Sequence, residues 1–399
     1  MQTFLALLLL VSLISGQVVK LPLIYLNGLT LLDLSIIIIN LFALLNLKFR
    51  LKKPPLPLVL TGLFLAIATL SLILTPLRLS PSEYLSSFSY TARFGSYILL
   101  GWLLYSGALP SFTRQMSKIL LSSGIIIASL GLIQFIFLPN LSFLAKDGWD
   151  PHNFRTASTF FDPNFLGAYL IFTLVLLAAK IIPLSRKLSF IFFLILYLAI
   201  VTTFSRSVAL MFITSFLSFS LFKRSFKWFA LTLILCSGFY LGYLVYHQAV
   251  ASPLNINRGQ SAEYRLTSWQ QGIKMVEASP LLGVGFNSYR YALDYYKLSA
   301  GNFTQSRGAS GNDSSLLFTA ATTGILGLFS YLAVIASLII ISLKKYYSGN
   351  KAGIVLLSGL LGLLIHSFFL NSLFYPFILV WLVLLPSQFK TPVEEAQTK

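Results

Sequence analysis

Two arginines and one aspartate stand out because they lie within or at the edge of the polar parts of a very apolar chain. Arg206 occupies the sequence Thr-Thr-Phe-Ser-Arg-Ser-Val of residues 202–208, a tight turn between two apolar stretches. A charged side chain at membrane depth is costly unless it is paired or functional, so Arg206 either snorkels to lipid phosphate or serves a site. Arg265 lies inside a polar segment, residues 247–313, and Asp313 ends that segment as either a helix cap or a functional carboxylate.

The polar segment has an internal order that positions Arg265. Residues 261–278 predict an amphipathic helix on which Arg265 points away from the apolar stripe. The stripe consists of Leu266, Trp269, Ile273 and Val276. Pro280, Gly283 and Gly285 then break this helix, and such glycines favour close approach of the backbone to a phosphate or a sugar, although their spacing is not that of a P-loop.

A second polar loop, residues 139–164, ends in Asp-Pro-Asn at the start of another apolar stretch. This tripeptide indicates either a helix N-cap or a helix start that faces a ligand. Asp147 and Asp150 form D-x-x-D rather than the D-x-D pattern of metal-dependent sugar transfer, and the histidines lack metal-ligand spacing. The single cysteine, Cys236, lies in an apolar stretch. We therefore predict no metal, no cofactor and no disulfide within the chain.

The elements that carry these residues are predicted from composition and periodicity. The chain is 56% hydrophobic and 10% charged, with a mean hydropathy of +0.82, which indicates an all-α, polytopic helical membrane protein. About twelve apolar runs approach the length that crosses a bilayer. They cover residues 3–18, 29–47, 58–74, 88–106, 116–138, 165–182, 188–203, 208–222, 228–246, 315–343, 354–370 and 373–385.

The orientation follows from the basic residues, because short cytoplasmic loops retain Lys and Arg. Basic clusters occur in alternate loops, which predicts both termini in the cytoplasm and the polar segment on the outer side. The net charge of +18 is explained by this topology and by anionic lipid headgroups, so no nucleic-acid partner is predicted. The first span lacks a basic residue before it and a clear small-x-small site, and we expect it to be retained.

The expected organisation has four parts. Residues 1–246 form a transmembrane bundle of nine spans, and residues 247–313 form a large, partly helical extracytoplasmic loop between spans nine and ten. Residues 314–388 add three spans, and residues 389–399 are a short cytoplasmic tail.

Several motifs, taken in order, resemble the O-antigen ligase and Wzy polymerase family of bacterial envelope glycosyltransferases. They are RTASTFFDPNFLGAYL at 155–170, TFSRS at 203–207, YRLTSW at 264–269, PLLGVG at 280–285 and DSSLLFTAATTGILGL at 313–328. The first 140 residues are similar to the family in hydropathy only.

The resemblance implies transfer of a glycan from undecaprenyl diphosphate to an acceptor hydroxyl at the outer face of the bacterial cytoplasmic membrane. It implies inversion at the anomeric carbon without a metal or a nucleotide sugar, a lipid-linked oligosaccharide donor, and a glycan, lipid or protein acceptor. Arg206 and Arg265 match the arginines that hold the diphosphate. Asp313 stands where ligase members carry a His-Asn pair and is the candidate base. Further substrate contacts are expected from Arg155, Asn164, Arg290, Tyr264, Trp269 and Tyr289.

Two other classes of protein remain open from the sequence. A transporter or flippase of lipid-linked saccharides has a similar span number, but it predicts charges distributed through the helices and internal repeats. Here the mid-span charges are few, mainly Asp33 and Arg93. A non-catalytic scaffold for envelope assembly predicts that the arginines are replaceable. A peptidoglycan-type glycan polymerase is an enzymatic alternative with similar span number.

Overall fold

Helices are the main regular structure in the part of the chain that the structure describes. This computed structural model describes residues 1–20, 29–45, 51–150, 152–251, 260–299 and 308–389, and no strand occurs in these ranges beyond a single antiparallel bridge between Lys20 and Thr30. The predicted all-α class is thereby confirmed for these residues. The predicted tail at 389–399 lies outside the described residues except for Phe389.

The helices divide at the polar segment. Those before it are α1 (Gln2–Ser15), α2 (Leu31–Leu45), α3 (Leu56–Ile73), α4 (Pro81–Tyr105), α5 (Pro110–Thr113), α6 (Met116–Phe137), α7 (Pro163–Ala178), α8 (Arg186–Val201), α9 (Arg206–Phe222) and α10 (Phe226–Tyr246). Those in or after it are α11 (Gln260–Ala278), α12 (Tyr289–Tyr295), α13 (Ser315–Tyr347), α14 (Lys351–Ser367) and α15 (Pro376–Leu384). A π-helical turn, His247–Ala251, extends α10, and short 3-10 helices cover Ser142–Asp147, Ser158–Phe160, Gly308–Ser310 and Pro386–Gln388.

Each predicted apolar run coincides with one helix. Four of the described helices, α3, α6, α10 and α13, are long and apolar enough to cross a membrane by length and composition, and several others are apolar but shorter. Helix α4 begins at Pro81, earlier than predicted, because Ser80 and Glu83 form a capping box. The apolar helices indicate an integral membrane protein, whereas the count of twelve crossings and the side on which the termini lie stay predictions.

Helix α14 is the centre of the bundle and brings the starts of α7 and α9 to one end. It packs against α7, α9 and α13, and most of its side chains are buried. A Cβ atom at Gly359 would collide with Phe172 of α7, and one at Gly362 would collide with Ser215 of α9. Small residues at such contacts let helix backbones approach closely in a membrane. Because α7 and α9 run in the same direction along α14, Asp162 and Arg206 reach the same end of the bundle.

The loop that follows α11 inserts into this end of the bundle. Its backbone bonds to α13, with the N–H of Val284 donating to the carbonyl of Ala321 at 2.9 Å and the N–H of Ile325 donating to that of Pro280 at 2.8 Å. Gly283 and Gly324 have φ of +69° and +65°, and a Cβ atom on either would collide with the backbone of the other segment. The close backbone approach that Gly283 allows is therefore used against α13.

Candidate functional site

A cavity of about 1810 Å³ lies at the end of the bundle where α7 and α9 begin, and we call it the site cavity. Its wall combines the loop before α7, the turn before α9, the polar segment, the approach to α13, the first half of α4, Thr30 before α2 and the segment between α14 and α15. The predicted site residues that line it are Arg155, Asn164, Arg206, Tyr264, Arg265, Tyr289, Arg290 and Asp313. Residues from separate parts of the chain therefore meet in one place.

The turn that carries Arg206 is held from the side of α7. Ser205 is the N-cap of α9, and its Oγ donates to Oδ1 of Asn164 at 2.6 Å. Phe204 has a positive φ of 47°, and its ring stacks on Tyr246 with centroids 4.4 Å apart. The turn is thus fixed on both flanks, while the Arg206 side chain is exposed to the site cavity.

Arg155 ties the preceding loop to the same turn. Its Nε donates to the carbonyl of Thr203 at 2.8 Å, and its Nη2 lies 3.5 Å from Oδ1 of Asn164. One residue later, the N–H of Thr156 donates to the carbonyl of Thr202 at 3.0 Å. Arg155 and Asn164 therefore act mainly on the position of the Arg206 turn, a role that a sequence motif does not reveal.

Asp162 caps α7 and also faces His152. Its Oδ1 accepts from the N–H of Asn164 at 2.7 Å, and its Oδ2 lies 3.9 Å from Nε2 of His152. Burial acts to raise the pKa of Asp162, but His152, the N–H of Asn164 and the charge of Arg155 outweigh it and lower the pKa to about 2. The capping interpretation is confirmed, and the same carboxylate lines the cavity as a permanent negative charge.

Arg265 lies half-buried on the cavity side of α11. Burial lowers the pKa of its guanidinium, the negative charge of Asp313 opposes that shift, and the positive charge of Arg206 adds to it. A guanidinium stays charged even so. The two arginines therefore lie close enough to repel each other, and Asp313 is close enough to balance one of them.

Asp313 does not cap the helix that follows it. The N-cap of α13 is Ser314, whose Oγ accepts from the N–H of Leu317 at 3.4 Å. The carboxylate of Asp313 lines the cavity, and burial raises its pKa to about 6, with Arg265 opposing the rise and Asp162 adding to it. The sequence allows Asp313 to be either a helix cap or a functional carboxylate. In the structure it is not the cap, and its carboxylate lies in the site cavity.

Asn312 holds the approach to Asp313, and the sequence did not single it out. Its Nδ2 donates to the Tyr289 hydroxyl at 2.9 Å and to the carbonyl of Ser268, and its Oδ1 accepts from the N–H of Ser314 at 2.9 Å. The Tyr289 hydroxyl also donates to the carbonyl of Ser268 at 3.3 Å. Burial raises the pKa of Tyr289 to about 12, so this hydroxyl stays protonated. The sequence feature that could have indicated a role for Asn312 is the polar Asn-Asp pair directly before α13.

The remaining predicted contacts differ in position. Tyr264 is 70% exposed and lines the cavity, as does Arg290. Tyr289 is 1% exposed and acts through its hydroxyl rather than as an open platform for a sugar. Trp269 does not line the cavity: its ring packs towards Phe369 with centroids 6.3 Å apart, because α11 turns this side towards the bundle.

The predicted apolar stripe of α11 is only partly correct. Leu266 and Ile273 are 57% and 50% exposed, whereas Gly272 and Met275 are buried. The helix rotates in this way because Gly272 lets it approach Leu317 of α13 closely. Its apolar residues therefore point in two directions.

The assembled site is an arginine-rich cavity in a helical membrane protein, and a family comparison covers a part of the chain that forms it. Residues 190–332 match the family model described as O-Antigen ligase (Wzy_C). The matched segment contains Arg206, Arg265 and Asp313. The predicted relationship to the O-antigen ligase and Wzy family is thereby confirmed, and this is a family of membrane enzymes that transfer glycans. No curated protein matches the chain.

Proposed function

We propose that this protein transfers a glycan from a lipid-linked diphosphate donor, undecaprenyl diphosphate by family resemblance, to an acceptor hydroxyl in the site cavity. One observation carries the proposal: Arg206, Arg265 and Asp313 come from three separate segments and line one cavity. A transporter of saccharides predicts charges distributed through the helices, whereas these residues gather at one end of the bundle. A scaffold does not need the arginines in a cavity at all.

The two arginines suit a diphosphate leaving group. Arg206 and Arg265 repel each other, so an anion between them is stabilised by both. A guanidinium binds phosphate oxygens with bidentate geometry and cannot lose its proton at neutral pH. Charge that develops on the diphosphate as its bond to the sugar breaks is then neutralised where it forms. No metal is required for this role.

Asp313 suits the role of the base. With a pKa of about 6, it is ionised at neutral pH and still basic enough to accept a proton during the reaction. The acceptor oxygen forms a bond to the anomeric carbon, its proton passes to Asp313, and the bond from that carbon to the diphosphate breaks with its electron pair. Attack from the side opposite the leaving group inverts the configuration.

The other cavity residues support these three. Arg155 and Asn164 hold the turn of Arg206, and Asp162 and His152 hold the start of α7. Arg290 and the exposed ring of Tyr264 are the proposed contacts for the donor and its sugars. Aromatic rings supply a broad apolar face for sugar rings. Trp269 is left out of this set because it does not line the cavity.

The test uses membranes that contain the protein and a lipid-linked donor. Arg206→Ala and Arg265→Ala are each expected to abolish the glycan product at an unchanged protein level, because each removes half of the diphosphate clamp. Arg78→Ala is the matched control, since Arg78 is an exposed arginine that does not line the cavity. Full turnover by both cavity variants would overturn the proposal.

A second measurement separates ligase from polymerase. Mass analysis of lipid-linked and surface glycans after deletion of the protein distinguishes them, because single repeat units accumulate without a polymerase. Complete polymer on its lipid carrier accumulates without a ligase. Unchanged glycans would contradict both.

A further inference from the structure

Three lysines meet at the end of the bundle opposite the site cavity. Lys180 follows α7, Lys223 follows α9 and Lys351 begins α14. Helix α14 packs against both α7 and α9, and these two pack against each other, so the three helix ends lie side by side. We call Lys180, Lys223 and Lys351 the lysine cluster.

One hydrogen bond joins two members of the lysine cluster, and the third member packs on its own helix. Nζ of Lys351 donates to the carbonyl of Lys180 at 3.2 Å, and Nζ of Lys223 lies 5.7 Å from the centroid of the Phe219 ring. Burial, together with the positive charges of Lys351 and Lys180, lowers the pKa of Lys223. All three side chains are exposed, so a ligand can reach them.

No acidic side chain of the described residues balances this charge. Their carboxylates lie in the first turns of α2 and α4, in the loop before α7, in the polar segment or directly before α13, which is the opposite end of the bundle. The two acidic residues left in the sequence, Glu394 and Glu395, lie outside the described residues. They share their terminal stretch with Lys390 and Lys399, so that stretch supplies little net negative charge.

We propose that the lysine cluster binds the phosphate headgroup of an anionic phospholipid in the adjoining leaflet. The cluster lies where apolar helices end, which is the depth at which lipid phosphates are found. Basic pockets between transmembrane helices attract such headgroups, and a lysine ammonium binds phosphate as a compact charge. A bound headgroup offsets the repulsion among the lysines and holds the ends of α7, α9 and α14 together. This inference is independent of the proposed glycan transfer.

The experiment measures lipid binding by the purified full-length chain in a neutral detergent. Short-chain phosphatidylglycerol is titrated, and bound lipid is counted by native mass spectrometry, with zwitterionic phosphatidylcholine and inorganic phosphate as comparison probes. The test variant is Lys180→Gln/Lys223→Gln/Lys351→Gln. The control is Lys52→Gln/Lys53→Gln/Arg114→Gln, which removes equal charge from another part of the same end of the bundle.

We expect the wild type to bind phosphatidylglycerol in preference to both comparison probes. The test variant should bind it on the order of a hundredfold more weakly, at about fivefold for each lysine, whereas the control should change little. Equal weakening by both triple variants, or equal binding of inorganic phosphate, would overturn the proposal. If the triple variant does not fold, Lys223→Gln alone carries the test with its fivefold loss.

The carboxyl-terminal acidic residues provide the remaining comparison. Glu394→Gln/Glu395→Gln should leave both lipid affinity and thermal stability unchanged if a phospholipid occupies the lysine cluster. Lower stability in this variant, combined with unchanged lipid affinity in the lysine variant, would mean that Glu394 and Glu395 are the partners of the lysine cluster. That result would overturn the proposal of a bound phospholipid.

Discussion

The backbone N–H of Asp313 donates to Oγ of Ser268 at 3.1 Å, which joins the end of the polar segment to α11 one turn after Arg265. This bond places the carboxylate of Asp313 beside the helix that carries the arginine. Asn312 and Tyr289 reinforce the same junction from the other side. The position of the proposed base relative to the proposed diphosphate clamp is thus set by hydrogen bonds from buried or half-buried polar side chains to the backbone around Asp313.

The first prediction concerns pH. Because the pKa of Asp313 is raised to about 6, the carboxylate is ionised above that pH and protonated below it. A base must be ionised, so turnover should fall as pH drops through about 6, by tenfold for each further pH unit. Asp313→Asn should lower turnover by roughly 10²–10⁴-fold and remove this limb of the pH profile.

The control for this prediction is Asp294→Asn, since Asp294 is exposed on α12 and does not line the site cavity. It should keep both the rate and the pH profile of the wild type. An Asp313→Asn variant with wild-type turnover at every pH would assign the base to another group.

The second prediction concerns the junction itself. Tyr289→Phe removes the hydroxyl that accepts from Asn312 and leaves the buried Asn312 amide short of a partner, which costs about 1–3 kcal/mol. We expect roughly tenfold slower turnover, with the protein still folded and its donor affinity little changed, because the base loses its position. Tyr295→Phe, at an exposed tyrosine of the same helix, is the matched control. An equal loss in both variants would indicate a general effect on α12.

The sequence predicted the site unevenly, and the reasons are physical. Apolar runs locate helices well because a bilayer requires them, and each predicted run does coincide with a helix. The rotation of α11 could not be predicted, because large apolar residues are normally expected on the buried side of a helix. Here the apolar Leu266 is exposed and the small Gly272 is buried against α13. The same rotation turns Trp269 towards Phe369, so of its two predicted roles the structure shows the packing on the apolar side of α11.

The supporting contacts of the site could not be predicted from the sequence because they join residues that lie far apart along the chain. Ser205 and Asn164 bond to each other although 41 positions separate them, and no local motif announces such a contact. Arg155 was predicted as a substrate contact, and the structure adds its bond to the carbonyl of Thr203. Arg206 was found because a charge in an apolar chain is visible without any knowledge of its partner, whereas Arg265 was assigned to the site through the family resemblance.

The third prediction tests the two arginines by charge and by shape. Arg206→Lys and Arg265→Lys keep the positive charge but lose the planar fork that binds two phosphate oxygens. Each should retain a measurable fraction of turnover, above that of the alanine variants and at least tenfold below the wild type. Initial rates over a range of lipid-linked donor concentrations measure this, and lysine variants as active as the wild type would limit the role of the arginines to simple charge.

The fourth prediction separates the two roles of Asp162. Asn is as good an N-cap as Asp, so Asp162→Asn should keep the cap of α7 and lose only the interaction with His152 and Arg155. Asp162→Ala should lose both and be less stable by a further 1 kcal/mol or so. Thermal unfolding in detergent gives the difference.

The pH dependence of this stability has a definite sign. The pKa of Asp162 is lowered to about 2 from an ordinary value near 3.8, so its stabilisation, about 2 kcal/mol, is complete above the ordinary value and is lost as pH falls towards 2. The wild type and Asp162→Asn should therefore converge in stability over this range. A constant gap between them would show that the charge of Asp162 contributes nothing.

The last prediction concerns the contact between the inserted loop and α13. Gly324→Ala places a Cβ atom against the backbone of Leu281 and also strains a positive φ, so we expect a loss of several kcal/mol or a failure to fold. Gly107→Ala is the matched control, because Gly107 also has a positive φ, +85°, but has open space where its Cβ would be. It should cost only the backbone strain, about 1–2 kcal/mol. The inserted loop leads into α12 and Tyr289, so a Gly324→Ala protein that still folds should also lose turnover. Gly107→Ala should keep its turnover. Equal stability of the two variants would mean that the loop does not need its contact with α13.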